Sequence, residues 1–479
     1  MNYAMVIHML GWVSCFEAAF LLLPLLVSVI YGESCAFAFL VVAALCALLG
    51  LPLVLKRPSK RTMASKDGLV IVAFSWILLS VFGALPFVIS GEIPFFVDAL
   101  FETVSGFTTT GASILADVES LSHGTLFWRS FTHWIGGMGI LVFILAILPM
   151  KGGSSVFLMK AESPGPSVSK LVPRIRETAF ILYAIYFAMT VVECVLLLAG
   201  GMPLFDTLCT AFGTAGTGGF GIKADSFGSY SPYLQGVVAV FMMLFGINFN
   251  LYYLCLRKKF SQAVKSLELW AYLLIIAAAT GAIAINVFPM FDSAGQALHH
   301  AFFQVSSIIT TTGFATTDFN LWPAFSRTIL VTLMFVGACA GSTGGGIKVS
   351  RILIMLKEVR KEIRLACHPR SVRKVKIDGR TVDHDVIRSV NAFLVVYLVL
   401  FASSVLIVSL DEFDLVTTFT AVATTLNNVG PGLEEVGPTG NFSAFSPVAK
   451  LVMSFDMLAG RLELMPMLML FVPATWKRK

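Results

Sequence analysis

The sequence predicts an all-α polytopic membrane protein with ten spanning helices, and three observations lead there. Of its 479 residues, 57% are hydrophobic and 13% charged, against about 45–50% and about 25% in an ordinary soluble domain, and the mean hydropathy is +0.84. Apolar windows of about 20 residues, the length of a spanning helix, recur along the whole chain. Basic residues gather in alternate loops between those windows. The 34 Lys and Arg and 28 Asp and Glu could not coat the several domains that a soluble chain of this length forms, which argues against a soluble globular enzyme.

The windows lie near 5–30, 35–55, 69–90, 126–149, 178–199, 233–256, 269–289, 326–356, 387–409 and 446–473. The first Lys or Arg is Lys56, so no basic region of a cleavable signal precedes window one, and it reads as a retained span. Segments 56–68, 150–177, 257–265 and 348–380, with Lys477, Arg478 and Lys479, hold 28 of the 34 bases. By the positive-inside rule these segments and both termini are cytoplasmic. The opposite loops hold 15 of the 28 acids, a solvated face that would also concentrate cations. The eight cysteines are scattered without a C-x-x-C pair and read as small buried hydrophobes. The seven histidines show no metal-ligand spacing.

Four outer connections are long and resemble one another. Each holds a short amphipathic segment (95–108, 204–214, 295–309, 413–426) and then a Thr/Gly-rich stretch: Thr108-Thr109-Thr110-Gly111, Gly216-Thr217-Gly218-Gly219-Phe220, Thr310-Thr311-Thr312-Gly313-Phe314 and Asn427-Asn428-Val429-Gly430-Pro431. Asp98 precedes Gly111, and Asp206 precedes Gly219, by the same 13 residues; copies three and four lack that spacing. The segments are too short to span and too apolar for water, which fits re-entrant half-helices buried by protein or lining a wet cavity. Two spans per copy keep all copies parallel, so they surround an axis along the membrane normal. The expected organisation is an N-terminal two-helix hairpin (1–66) and four span–re-entrant helix–span repeats (67–150, 151–260, 261–380 and 381–479) around a central pore. Extended glycine-containing loops around an axis bring rings of backbone carbonyls together, and such rings replace the hydration shell of potassium. One such loop alone reads more readily as a turn; four at equivalent places reverse that reading.

Window 326–356 contains Gly337, Gly341, Gly344, Gly345 and Gly346. Each costs about 1 kcal/mol relative to Ala inside a helix, so the span should break there; tight packing of small residues is the other reading. A nucleotide P-loop is ruled out by Ile347 at the lysine position, and Gly216-x-Gly218-x-x-Gly221 matches a dinucleotide fingerprint only by accident. Arg461 lies inside the last window, where a charge needs a partner or water: an acid on another helix, or a wet pore that it would guard. Glu17 and Glu193 also lie within windows, with hydrogen bonding as their expected role. Segment 348–380, with eleven bases, suits anionic lipid headgroups or a cytosolic partner. No nucleophile constellation of a membrane enzyme is present, and no nucleic-acid partner is expected.

Several motifs together resemble the TrkH membrane subunits of Trk-type bacterial potassium uptake systems, within the wider Trk/Ktr/HKT superfamily. They are Gly106-Phe107-Thr108-Thr109-Thr110-Gly111-Ala112, Trp134-Ile135-Gly136-Gly137-Met138-Gly139, Gly218-Gly219-Phe220, Phe302-Phe303-Gln304-Val305, Thr312-Gly313-Phe314, Cys339-Ala340-Gly341-Ser342-Thr343-Gly344-Gly345-Gly346 and Leu426-Asn427-Asn428-Val429-Gly430-Pro431-Gly432-Leu433. The resemblance covers almost the whole chain. It implies a potassium-selective filter built from the carbonyls of Thr109, Thr110 and Gly111; Thr217, Gly218 and Gly219; Thr311, Thr312 and Gly313; and Asn428, Val429 and Gly430. The glycine-rich run Gly213-Thr214-Ala215-Gly216 departs from the pattern and leaves Gly218 and Gly219 as competing filter glycines. With one aligned glycine per loop, fewer stacked rings should discriminate less sharply among large alkali cations. The resemblance further implies that the glycine loop obstructs the pore below the filter, with Arg461 as a cation barrier. It implies a soluble nucleotide-binding regulator of the TrkA kind, a homodimer, and a bacterial inner-membrane location. Proton- or sodium-coupled potassium symport remains the alternative to a gated pore.

Overall fold

The computed structural model describes residues 1–56, 58, 63–139, 175–369 and 374–477. Helices α1 (Tyr3–Tyr31) and α2 (Ala36–Leu55) form a hairpin. A Cβ on Gly50 would lie 2.9 Å from the carbonyl oxygen of Gly11, so glycine lets the two backbones meet. Then come α3 (Ser65–Ser90), the short α4 (Phe96–Phe107) and α5 (His123–Met138). The same order returns as α6 (Ile175–Ala199), the short α7 (Leu204–Gly216), α8 (Pro232–Phe245) and α9 (Phe249–Leu256). After α10 (Phe260–Val264) it returns as α11 (Leu267–Val287), α12 (Ala294–Ile309), α13 (Ala324–Val336) and α14 (Val349–Cys367). A two-residue antiparallel pair, β1 (Lys376–Ile377) and β2 (Arg380–Thr381), precedes α15 (His384–Val408), α16 (Leu415–Asn427), α17 (Pro447–Arg461), α18 (Met465–Met469) and α19 (Pro473–Trp476).

Six of the described helices (α1, α2, α3, α6, α11 and α15) are long and apolar enough to cross a membrane, and the bent α8–α9 pair would make a seventh. Their outer faces carry exposed Leu48, Leu55, Ile285 and Leu406, the inverse of a soluble surface, because lipid tails solvate them and helices satisfy their own backbone. The chain is a mostly helical multi-pass membrane protein.

The short helices match the four amphipathic segments closely. Side-chain caps start two of them: Asp414 accepts the amides of Val416 and Thr417, and Ser293 accepts that of Gln296. Each of four following helices packs on the next short helix: α5 on α7, α8 on α12, α13 on α16 and α17 on α4, closing a circle.

Three windows differ from straight spans. Window 233–256 bends by 90° between α8 and α9. Window 326–356 breaks after Val336, where Gly337 adopts φ +70°, and resumes at Val349. Window 446–473, expected to be continuous, ends its main helix at Arg461, because Glu463 and Leu464 both adopt positive φ. Of window 126–149, residues 140–149 lie outside the described residues, as does most of the basic segment 150–177. Glu17 is fully buried without a hydrogen-bond partner among the described residues, while Glu193 faces Thr214 of α7.

Candidate functional site

Helices α4, α7, α12 and α16 end alike. Thr109, Thr217, Thr311 and Asn428 adopt φ between +56° and +62°. The next amide folds back over the helix end in each: Thr110 to the carbonyl of Ser105 (2.9 Å), Gly218 to Gly213 (2.8 Å), Thr312 to Ser307 (2.8 Å) and Val429 to Thr424 (2.9 Å). This closure is ordinarily built on glycine. A β-branched Thr there is strained by about 1–3 kcal/mol, tolerated where surrounding structure over-determines it, and all four residues are buried. Two residues further on, Gly111, Gly219, Gly313 and Gly430 take φ between +78° and +97°.

These glycines stand against one another's loops in rotation. A Cβ on Gly111 would strike the carbonyl oxygen of Gly218; on Gly219, that of Thr312; on Gly313, that of Val429; on Gly430, that of Thr110. The four loops therefore close into a ring, and all twelve residues singled out in the sequence come together. Gly219, not Gly218, holds the conformation common to the four loops. Among the described residues no group of three or more His, Cys, Asp or Glu converges as a metal cluster. The donors that the ring concentrates are neutral backbone oxygens, which suit a weakly held monovalent cation.

Side chains behind the ring tie its loops together. Glu102 of α4 accepts from Arg129 Nε (2.5 Å), Ser113 Oγ (3.0 Å) and the Ile114 amide (2.9 Å). Arg129 donates to the Gly221 carbonyl (2.9 Å) and lies 3.6 Å over the Phe220 ring. One buried ion pair thus spans loops one and two. Lys450 of α17 binds Asp98 of α4 (2.7 Å), joining the last long helix to the first short one. The Tyr397 hydroxyl donates to Asn427 Oδ1 (3.0 Å), and Asn428 Nδ2 donates to Thr110 Oγ1 (2.9 Å). Sequence reasoning missed Arg129, although a lone base early in an apolar window was the available signal. It also missed His133, which nothing in the sequence distinguished.

The glycine loop between α13 and α14 packs against the ends of α12 and α16. The Gly345 amide donates to Thr311 Oγ1 (2.6 Å), and the Gly346 amide to the Asn427 carbonyl (3.0 Å). Gly337, Gly341 and Gly346 take positive φ, and a Cβ on Gly344 would meet Ala338 at 2.6 Å and the Thr310 carbonyl at 2.8 Å. The α8–α9 bend holds the loop from the other side. The Cys339 amide donates to the Gly246 carbonyl (3.1 Å), and the Phe249 amide to that of Gly341 (3.0 Å). Glu268 of α11 accepts the Ala340 amide at 2.7 Å. Arg461 Nη1 donates to the Thr343 carbonyl (2.6 Å), and Nη2 to those of Gly136 (2.5 Å) and Gly137 (2.7 Å). It thereby joins the glycine loop to the C-terminal end of α5, where a cation also meets the negative end of the helix dipole. Glu463 pairs with Arg351 of α14.

The sequence matches the family described as TrkH, cation transport protein, over residues 36–478. The chain belongs to the TrkH family. It is 36% identical to the Trk system potassium uptake protein TrkH of Salmonella typhimurium, with both chains covered in full. Against the TrkG protein of Escherichia coli K12 it is 36% identical over 98% of each. The crystal structure of the potassium transporter TrkH from Vibrio parahaemolyticus superposes with a TM-score of 0.90 over 100% of both chains at 32% identity. The TrkH family is one of transporters rather than enzymes.

Proposed function

We propose that this TrkH-family chain carries potassium into the cell across the cytoplasmic (inner) membrane, through a pore whose filter is the four-loop ring. The observation that carries this reading is the ring itself: four loops share one backbone conformation and each glycine abuts the next loop's carbonyl. The potassium transport of its full-length relatives agrees with it. On this reading the N-terminal hairpin and four repeats give ten membrane crossings, with both termini cytoplasmic. Gly337, Gly341, Gly344, Gly345 and Gly346 form the gate, with Arg461 as its brace. The gate answers to a cytosolic nucleotide-binding partner of the TrkA kind, and the chain works as a homodimer. The test is ion flux into proteoliposomes of the purified chain, comparing potassium, rubidium, sodium and lithium. Potassium and rubidium should far exceed sodium and lithium; equal flux of all four overturns the filter. Flux that requires an imposed proton or sodium gradient replaces the pore with coupled symport.

A further inference from the structure

Loop two differs from the other three in what backs its carbonyls. Just before the ring glycine the others carry Thr110, Thr312 and Val429, all buried, whereas loop two carries Gly218. Two positions earlier, Thr108 and Thr310 correspond to Gly216. In loops one and three these threonine pairs join through their hydroxyls, Thr108 to Thr110 and Thr310 to Thr312, each at 2.8 Å. Loop two can make no such bond.

His133 of α5 fills both places. A Cβ on Gly218 would fall into its imidazole ring, and a Cβ on Gly216 would strike its backbone carbonyl. Both ring nitrogens are engaged: Nδ1 lies 2.7 Å from the Gly106 carbonyl oxygen, and the Phe220 amide donates to Nε2 at 3.2 Å. The first bond needs a donor and the second an acceptor, so the ring is the neutral tautomer protonated on Nδ1. The ring also packs on Phe220, with centroids 4.3 Å apart.

We infer that His133 is a positioning residue for ion selectivity: its imidazole stands in for the side chain that Gly218 lacks, its backbone packs against Gly216, and it sets where the Gly218 carbonyl lies in the ring. The inference rests on the reading of the ring as a potassium filter. It explains why loop two carries glycine at both positions, since a side chain at Gly218 would expel the imidazole and one at Gly216 would strike the His133 backbone. Filter carbonyls must be held in place by groups with locked geometry, and here that hold crosses from one repeat to the next.

The test compares potassium and sodium flux into proteoliposomes for the wild type, His133→Ala, His133→Gln and the double variant His133→Ala/Gly218→Thr. His133→Ala should lower the potassium-to-sodium flux ratio about tenfold, equivalent to about 1.4 kcal/mol of discrimination. His133→Gln keeps a donor and an acceptor and should hold most of the ratio. The double variant supplies the side chain that the other loops carry just before the ring glycine and should recover part of it. A purely structural role would change yield and leave the ratio alone. A folded His133→Ala with wild-type ratio overturns the inference, as does a folded double variant that recovers nothing where His133→Ala itself fails to fold. A wild type without potassium preference removes the filter reading as well, whereas a selective wild type with an equally selective Ala variant removes this inference alone.

Discussion

Glu33, in the turn between α1 and α2, accepts the amides of His123 (2.8 Å) and Gly124 (3.0 Å) and the His123 ring nitrogen (2.9 Å), clasping the start of α5. Burial alone would raise its carboxyl pKa, but the hydrogen bonds from Gly124 and His123 outweigh burial and hold it below the ordinary 4.5. A depressed carboxylate contributes stability that is fully present above its unfolded value and lost as pH falls through the lower folded value. The melting-temperature gap between wild type and Glu33→Gln should therefore be widest near neutrality and close as pH drops below 4.5; a gap independent of pH refutes the clasp. Arg461 poses a second residue-scale question. Beside a passing cation its charge opposes conduction, since two unit charges about 8 Å apart repel by roughly 2 kcal/mol at an effective dielectric of about 20. Its bonds to Thr343, Gly136 and Gly137 also hold the glycine loop against α5. Both effects point the same way, so Arg461→Ala should raise flux per folded molecule and Arg461→Lys should change it less. A stable Ala variant with lowered flux would make the residue structural.

At the scale of elements, the glycine loop and the α8–α9 bend depend on each other. The bend leaves the Gly246 carbonyl and Phe249 amide without helical partners, and the loop supplies both. Deleting residues 340–344 while keeping α13 and α14 should raise potassium flux in the absence of any regulator. It should also lower thermal stability, because each lost hydrogen bond costs about 1 kcal/mol, more where a buried group stays unpaired. Abolished flux in a folded, membrane-inserted variant would show that the loop is packing and not a gate.

At the scale of the whole molecule, the ring makes the four loops interdependent. Because every ring glycine abuts its neighbour's carbonyl, a side chain in one loop displaces the next. Gly313→Ser, at φ +92° and against the Val429 carbonyl, should lower the potassium-to-sodium flux ratio in a protein that still folds. Gly111→Ser, Gly219→Ser and Gly430→Ser should do the same to a similar degree. Loss confined to one loop, measured by the same flux assay, would mean that the loops act independently.

The sequence by itself determined that the chain is helical and apolar, where its short helices lie and which four Thr/Gly stretches correspond. Those properties live in local composition: twenty apolar residues leave a backbone no alternative to a helix in lipid, and Gly337–Gly346 break one wherever they fall. The repeats located the four stretches, and the family resemblance singled out the twelve ring residues within them. Only the tertiary structure decided between Gly218 and Gly219, since that choice depends on φ values set by packing against Thr312 and His133. It alone revealed the bend in 233–256 and the end of the last long helix at Arg461. The bend follows from backbone groups finding partners on the glycine loop, and the helix end from positive φ at Glu463 and Leu464, neither of which periodicity records. The pairs Glu102–Arg129, Asp98–Lys450 and Arg351–Glu463 join residues far apart in the chain, and only the circle of packed helices places such side chains within hydrogen-bonding reach.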